Sequence, residues 1–179
     1  MNYQVITAWT GLTTAIVAIY ALWAESRRHR FSTGIDLILR LEDQFSTQRM
    51  YVNRRKVARA FQNKNYVEAM NEIDEIIDFF EGVGFFVKRG ALDRKVVWTF
   101  FFSYLFRFRH FAKEYIENEQ SRDPTLWTEF VDLYNNLLQI ERADRRNRKS
   151  SLEISEDDLE QFLREETNLA VSENVLPFT

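Results

Sequence analysis

The feature that most constrains the fold is a long apolar stretch in the middle of the chain, from Tyr66 to Ile116. It contains two segments rich in phenylalanine, which read IIDFFEGVGFFVKRG (Ile76–Gly90) and VVWTFFFSYLF (Val96–Phe106). Both are too apolar to face water, and their apolar residues recur at helical spacing. The stretch therefore predicts two long helices, joined at Gly90, that form the centre of a packed domain.

Glycines mark the close contacts and the end of the first of these helices. Gly82 and Gly84 lie inside the helical pattern, where each costs about 1 kcal/mol relative to alanine. We expect a bulky neighbour to pack against them, and the Phe-rich helix that contains Trp98 is the natural candidate. Gly90 follows two basic residues and is placed to end the helix, and Asp93 is placed to cap the next one.

The fold class follows from how few turn residues the chain has. Five Gly and two Pro in 179 residues leave little turn chemistry for a sheet of many strands. Apolar periodicity of the helical kind continues on both sides of the central stretch. The sequence thus predicts an all-α fold, in which one N-terminal transmembrane helix precedes a small bundle of about five to six helices.

The transmembrane prediction rests on residues 5–24, which are twenty in number and carry no charge. This length is what a helix needs to cross a bilayer. Aromatic side chains suited to the membrane interface lie towards the two ends, and Gly11 and Ala15, four residues apart, suit close helix contact. The anchor residues at the interfaces are Trp9, Tyr20 and Trp23.

The charges beside this span predict its orientation. Arg27, Arg28 and Arg30 follow it, whereas residues 1–4 contain no Lys or Arg. The positive-inside rule then places the N-terminus outside and the remaining chain in the cytoplasm, at the inner membrane. A cleaved signal peptide is the main alternative, but its basic cluster belongs at the other end of the apolar run.

We expect three parts. Residues 1–30 form the anchor with its basic juxtamembrane segment, 31–149 the cytoplasmic bundle, and 150–179 an acidic C-terminal helix and tail. The first 149 residues carry 23 basic against 19 acidic side chains, and the last thirty carry 1 against 8. Asp123 and Pro124 predict the start of the last bundle helix, and Ser155 with Asp158 predicts a capping box for the C-terminal helix.

One cation lies where a bundle helix should be apolar. Arg54 falls on the same stripe as Met50 and Val57. A buried guanidinium without an acidic partner would cost several kcal/mol, so we expect a structural ion pair, with Glu42, Asp43 or Glu81 as the partner. The other basic residues of this helix form a face that would suit anionic lipid headgroups; they are Arg49, Arg55, Lys56 and Arg59.

Reactive side chains in recognisable settings are missing from the sequence. There is no Cys, and there are only two His, His29 and His110, so we predict no metal site. No nucleophile motif and no phosphate-binding glycine loop is present, which predicts no catalytic residue, no cofactor and no small-molecule substrate. Phe106–Phe111 alternates basic and aromatic residues, but on a helix these point in several directions, so we expect no nucleic-acid binding.

Part of the sequence resembles a known protein family. The residues that carry the likeness are DFFEGVGFFVKRG (Asp78–Gly90), then Leu92–Asp93 and Val97–Trp98, with LEDQF (Leu41–Phe45) and Arg54–Arg55 upstream. These resemble an uncharacterised prokaryotic family of small proteins with an N-terminal membrane helix and a helical cytoplasmic domain. The likeness covers about Phe31–Glu117; it implies an all-helical fold and a bacterial source, and it implies no activity.

These observations predict a non-enzymatic protein that works by binding. We expect a membrane-anchored cytoplasmic module that contacts the lipid bilayer and a protein partner or a second copy of itself. It would act as an adaptor or accessory subunit of a membrane complex. The alternative is a membrane-acting effector of a bacterial defence or toxin system, whose helices assemble and disturb the bilayer.

Overall fold

The computed structural model describes residues 33–148 and 154–169, and within these two ranges every regular element is helical. The all-α prediction is therefore confirmed for this part of the chain. Residues 33–148 and 154–169 contain six α-helices and one short 3₁₀ helix, at Tyr66–Ala69. The α-helices are α1 (33–45), α2 (Gln48–Gln62), α3 (Met70–Lys88), α4 (Arg94–Arg122), α5 (Thr128–Arg148) and α6 (Glu156–Thr167).

The predicted membrane span lies outside the described residues. So do its interface and packing residues and the three arginines that follow it; these are Trp9, Gly11, Ala15, Tyr20, Trp23, Arg27, Arg28 and Arg30. Among the helices of 33–148 and 154–169, none combines the length and the apolar character needed to cross a bilayer.

The core forms around α3, as its apolar pattern predicts. Residues on two neighbouring stripes of this helix are fully buried, because α1, α2, α4 and α5 surround it; they include Ile73, Ile76, Ile77, Phe80 and Val83. Large rings fill the space between α3 and α4, where the rings of Phe79 and Phe80 each lie 5.8 Å from that of Phe101. The Phe-rich centre of the sequence is thus the centre of the bundle.

Gly90 ends α3 and forms the turn to α4, as the sequence predicts. Gly90 has φ +70°, a left-handed conformation that residues with a Cβ disfavour. Its N–H donates to Val87 O at 3.0 Å, and the N–H of Ala91 donates to Phe86 O at 2.9 Å. These two bonds form a Schellman motif that satisfies the last carbonyls of α3. Asp93 then caps α4 by accepting from the N–H of Lys95.

The two glycines inside α3 differ, and the predicted packing holds for one of them. A Cβ on Gly84 would lie 2.4 Å from the carbonyl oxygen of Glu129, so this glycine lets α5 cross α3 at close range. A Cβ on Gly82 would meet nothing within 4 Å. The expectation that α4 packs on both glycines is therefore wrong: α5 packs on Gly84, and Gly82 faces open space.

Helices α4 and α5 run antiparallel, with contacts along most of their length. The rings of Tyr115 and Trp127 lie 6.0 Å apart, and those of Phe106 and Tyr134 lie 6.3 Å apart. Towards the start of α4, the Trp98 indole donates to Glu141 at 2.9 Å, which confirms Trp98 as a helix-packing residue. From the first of these contacts to the last, the residue in α4 is earlier and its partner is later in the chain, so the start of α4 lies beside the end of α5.

The predicted start of α5 at Asp123 is wrong by about one turn. Asp123 closes α4 instead, because its N–H donates to Glu119 O, and its carboxylate accepts from the N–H of Thr125. Trp127 has φ +54°, which interrupts any helix before Thr128. This buried indole donates to Asp78 of α3 at 2.9 Å, so tertiary packing of Trp127 decides where the helix begins.

The last helix, α6, begins with the predicted capping box between Ser155 and Asp158. The sequence predicts it as part of an acidic C-terminal helix and tail, residues 150–179. In the structure it packs against α2, where Phe162 and Leu163 form a small apolar cluster with Ala58. The position of α6 beside Arg54 makes it part of the site described next.

Candidate functional site

Arg54 of α2 lies in a box of three aromatic rings. Its guanidinium carbon is 4.5 Å from the ring centroid of Phe45, 4.8 Å from that of Tyr104 and 5.4 Å from that of Tyr51. These rings come from the end of α1, from α4 and from α2 itself. The negative faces of aromatic rings attract a cation, so the box holds the guanidinium in place and largely out of water.

The open side of the box is closed by Glu166 of α6. The Nε and Nη2 atoms of Arg54 donate to the two carboxylate oxygens of Glu166 at 2.8 and 2.7 Å. The side chains of Arg54 and Glu166 are only 11% and 8% exposed. Arg54 is therefore in a buried ion pair, but its partner is Glu166, and the predicted partners Glu42, Asp43 and Glu81 are wrong.

Glu81 has a different role, which explains why it is not the partner. Its carboxylate accepts a 2.6 Å hydrogen bond from the N–H of Phe130, in the first turn of α5. A carboxylate there satisfies an amide that has no partner inside the helix. Glu81 therefore joins α3 to the start of α5.

Burial and charge act in opposite directions on the arginine. Burial lowers the pKa of Arg54, whereas the hydrogen bonds from Arg54 to Glu166 and the nearby charges raise it, and the net direction is upward. Burial, and then the charge of Glu166, raise the pKa of Tyr104 well above its usual range. At neutral pH Arg54 is therefore a guanidinium cation, and the phenol of Tyr104 keeps its proton.

Four side chains of α6 are buried at helical spacing, namely Leu159, Phe162, Leu163 and Glu166. Phe162 lies edge-on to Tyr104 at 5.4 Å and stacks with Phe111 at 6.4 Å. Thr167 adds a hydrogen bond to Gln62 of α2 at 3.4 Å. This is the pattern of an amphipathic helix seated in a groove, with anchors at positions i, i+3, i+4 and i+7. We call the surface of α2 and α4 that receives it the α6 groove.

Two of the four residues on the predicted basic face of α2, Arg49 and Lys56, form ion pairs with α3. Arg49 donates to Glu75 and Lys56 donates to Glu72, both at 2.6 Å, and both acids belong to α3. Asn53, buried beside them, also donates to Glu75 at 2.6 Å. The hydrogen bond from Arg49 holds the pKa of Glu75 below its ordinary value. This face therefore attaches α2 to α3.

The described residues contain no group of three or more His, Cys, Asp or Glu side chains placed to hold a metal ion. His110, the histidine within this part, is exposed on α4 beside the ring of Phe111. The chemistry that the Arg54 box offers is recognition: it holds one carboxylate in a forked pair of hydrogen bonds, with apolar anchors beside it.

Sequence reasoning missed Glu166 and the three rings around Arg54. Glu166 lies seven residues after Leu159, on the apolar stripe of α6, and this position was the available signal for a buried carboxylate. Arg54 and Glu166 are 112 residues apart, and nothing in the pattern of α2 selects a partner at that distance. The box itself has no local signature, because its rings come from three helices.

A protein family model described as "Domain of unknown function (DUF4760)" matches residues 8–137. The chain belongs to this family. The resemblance to a family of unknown function is thereby confirmed, while a prokaryotic source stays a prediction. No curated protein matches the chain, and no solved structure matches it either. The DUF4760 match includes Arg54 and its three aromatic neighbours, and it ends before α6 begins.

Proposed function

We propose that this DUF4760 protein is a membrane-anchored helical module of the cytoplasm that binds other proteins, as an adaptor or accessory subunit of a membrane complex. The observation that carries the proposal is the seating of α6. A surface that holds one amphipathic helix by three apolar anchors and a forked ion pair has the properties needed to hold another. The α6 groove is therefore the proposed binding surface.

The partner that fits this surface has a definite chemistry. It presents apolar side chains at i, i+3 and i+4 to Ala58, Phe61 and Phe111, and a carboxylate at i+7 to Arg54. The carboxylate would fix the direction and register of the bound helix, because the guanidinium donates to both carboxylate oxygens in a planar, forked geometry. The groove lies in the part of the chain that the family model matches.

Two further predictions from the sequence belong to this proposal. The uncharged residues 5–24 would anchor the protein in the bilayer with its N-terminus outside, and the partner would then be a protein at the inner membrane or a second copy. The absence of a nucleophile motif and of Cys supports binding without catalysis.

Crosslinking in native membranes tests the proposal. A photo-crosslinking amino acid at Gln62, which lies beside the end of α6, should capture a discrete protein partner. Glu166→Lys should increase the yield, because two cations at the box would release α6 and open the groove. The same amino acid at Asn118, exposed near the far end of α4, is the matched control.

The outcomes separate the possibilities. A crosslink of twice the chain's mass would make a second copy the partner, and contact with lipid alone from Gln62 would contradict the proposal. The membrane-acting effector makes a different prediction: expression would depolarise cells, and Ala15→Arg in the predicted span would abolish the effect. Depolarisation that Ala15→Arg abolishes, with no partner captured at Gln62, would contradict the adaptor hypothesis and favour the effector hypothesis.

A further inference from the structure

One end of the bundle is strongly basic. It contains the α3–α4 turn and, through the antiparallel register of α4 and α5, the last turns of α5. We call this surface the basic end; its exposed cations are Lys88, Arg89, Arg94, Lys95, Arg142 and Arg146. The acids of the same segments are less available, because Glu141 is buried, Asp144 is half-buried and Asp93 caps α4.

Helix stability does not explain two of these cations. Arg94 and Lys95 are in the first turn of α4, which contains no acidic residue. The N-terminus of a helix is the positive end of its dipole, so basic side chains are unfavourable there. Lys88, in contrast, suits the last turn of α3 and pairs with Glu129 at 2.6 Å. The N-cap carboxylate of Asp93 offsets only one positive charge beside Arg94 and Lys95, so an external anion would further improve this arrangement of charge.

The start of α1 lies against this end of the bundle. A Cβ on Gly34 would be 3.3 Å from the carbonyl oxygen of Ala91, in the α3–α4 turn. The predicted membrane span ends at Ala24, nine residues before Thr33, and nine residues reach about 30 Å at most. If the span is in the bilayer, the basic end is held close to the cytoplasmic leaflet.

A cavity of about 480 Å³ opens at the same place, between the start of α1, the α3–α4 turn and α5. Its lining includes Lys88, Arg94 and the amide of Asn136, with Ile35 and Val96 as apolar walls, and one acid, Asp93, whose carboxylate caps α4. Nearby, the ring of Phe85 is 45% exposed, and the guanidinium carbon of Arg89 lies 5.2 Å from it. Cations, an amide and exposed apolar groups together suit a phosphate headgroup at a membrane surface.

The other end of the bundle has the opposite charge. It holds the start of α3 and the end of α4, which meet where Tyr115 donates to Asp74 at 2.7 Å. The exposed acids around this contact outnumber the exposed cations Lys64, Lys113 and Arg122; the acids are Glu68, Glu114, Glu117 and Asp123. The 29 residues of α4 connect the two ends and span about 43 Å. An anionic surface would attract one end of the domain and repel the other.

The basic face of α2 is a weaker candidate for this contact. Its Arg49 and Lys56 are paired with α3, as described above. Glu75, the partner of Arg49, precedes Gly90 by fifteen residues, or about 22 Å along α3. The face of α2 is thus further from the start of α1 than the α3–α4 turn is.

We propose that the basic end is a binding surface for the headgroups of anionic phospholipids, with Arg94 and Lys95 as the main ligands of the phosphate. The proposal rests on the membrane anchoring in the proposed function, and it adds a second contact between the domain and the bilayer. That contact holds the domain upright on the leaflet, with the acidic end pointing away.

The full chain, reconstituted into vesicles, tests this proposal. Because the chain has no Cys, Ala91→Cys carries a single environment-sensitive fluorophore at the basic end. Its emission should shift to the blue in vesicles that contain one third phosphatidylglycerol, relative to pure phosphatidylcholine, and high salt should reverse the shift. A label at Ser121→Cys, at the acidic end, should show no dependence on lipid charge.

Paired charge variants identify the ligands. Arg94→Gln with Lys95→Gln should remove at least half of the emission shift, because they are the proposed phosphate ligands. Lys113→Gln with Arg122→Gln makes the same change of net charge at the acidic end and should leave the shift intact. Equal losses in the two double variants would show a general charge effect and would overturn the assignment to the basic end.

Two further arms separate this proposal from others. Inorganic phosphate added with neutral vesicles should cause no shift; an equal shift would make free phosphate the ligand and would overturn the lipid assignment. Carbonate extraction tests separately whether the chain is anchored in the bilayer. The label at residue 91 reports binding to anionic vesicles whether or not carbonate releases the chain. A chain that stays in the membrane but gives the same emission in neutral and anionic vesicles contradicts the headgroup proposal alone.

Discussion

At the scale of single residues, the Arg54 box shows why a charge on an apolar stripe needs the rest of the molecule. Three rings exclude water from the guanidinium, and the carboxylate of Glu166 replaces the lost hydration. A buried pair of this kind stabilises little compared with apolar residues of the same shape, but removing one partner alone is costly. Its main effect is to fix where α6 lies on α2.

We expect Arg54→Met to release α6. Glu166 would be left buried without a cation, at a cost of about 3–5 kcal/mol, unless α6 leaves the groove and the carboxylate returns to water. Hydrogen exchange should therefore become fast throughout α6 and stay slow in α3. Arg54→Met combined with Glu166→Met should restore much of the protection of α6. Unchanged exchange in the single variant would show that the ion pair does not hold the helix.

Tyr115 gives a prediction for alkaline pH. It is 4% exposed, and burial, together with its hydrogen bond to Asp74, raises the pKa of its phenol. The folded state therefore keeps the proton more strongly than the unfolded chain, whose tyrosines titrate near about pH 10. The contribution of Tyr115 to stability is complete below that pH and is lost as the pH rises towards the pKa in the folded state.

Denaturant unfolding of the full chain in mild detergent between pH 8 and 11 measures this effect. The free energy of unfolding should fall above about pH 10, and Tyr115→Phe should make this fall less steep. At pH 7 the same variant should lose about 1–3 kcal/mol, because Asp74 loses its partner. Parallel alkaline slopes for the two proteins would contradict the role assigned to Tyr115.

At the scale of the helices, the crossing of α3 and α5 depends on one missing side chain. The backbone of Glu129 occupies the space that a Cβ on Gly84 would need, whereas the space beside Gly82 is open. The glycine at position 84 lets the two helices approach closely, and the one at position 82 only lowers the helix propensity of α3.

The two glycines form a matched pair for a stability measurement. Gly84→Ala should destabilise the bundle by about 1–3 kcal/mol, because α5 must move away. Gly82→Ala should stabilise it by up to about 1 kcal/mol through helix propensity. Thermal unfolding should therefore move the two melting temperatures in opposite directions. A Gly84→Ala protein as stable as Gly82→Ala would show that the crossing tolerates a Cβ.

Local signals in the sequence predicted the elements better than their contacts. Gly90, Asp93 and Ser155 act on residues within a few positions, so their roles as helix ends and caps follow from the sequence. Asp123 and Pro124 also carry a helix-start signal, but the buried indole of Trp127 delays α5 to Thr128. A contact over 49 residues thus overrides a local preference.

The candidate site was predictable only in part, for the same reason. The helical period places Arg54 on an apolar stripe and so predicts that its side chain is buried. A buried guanidinium requires an acidic partner, and this much follows from the sequence. The choice among acids depends on how α6 returns to α2 after residues 149–153, and no local pattern specifies that path.

At the scale of the whole molecule, the described domain has a basic end beside the start of α1 and an acidic end about 43 Å away. The basic end would lie on the same side of the membrane as the three arginines that follow the predicted span, which the positive-inside rule places in the cytoplasm. Anchor, juxtamembrane arginines and basic end would then form one continuous attachment to the leaflet.

The proposed topology has a direct measurement. Protease added to intact spheroplasts should remove a tag placed before Met1 and leave α1 to α6 uncut. In everted membrane vesicles the result should be reversed, because the domain would then face the protease. Digestion of the helical domain in intact spheroplasts would place it outside the cell and contradict the proposed location.

The forked contact between Arg54 and Glu166 has a consequence for any outside competitor. A visiting helix can dock only during the fraction of time that the resident one is absent. If occupancy by the resident exceeds vacancy by about a hundredfold, equivalent to about 2.7 kcal/mol, the visitor's apparent dissociation constant rises by the same factor. Confinement of both proteins to the same bilayer raises their local concentration, and this is how a visitor of ordinary intrinsic affinity would succeed.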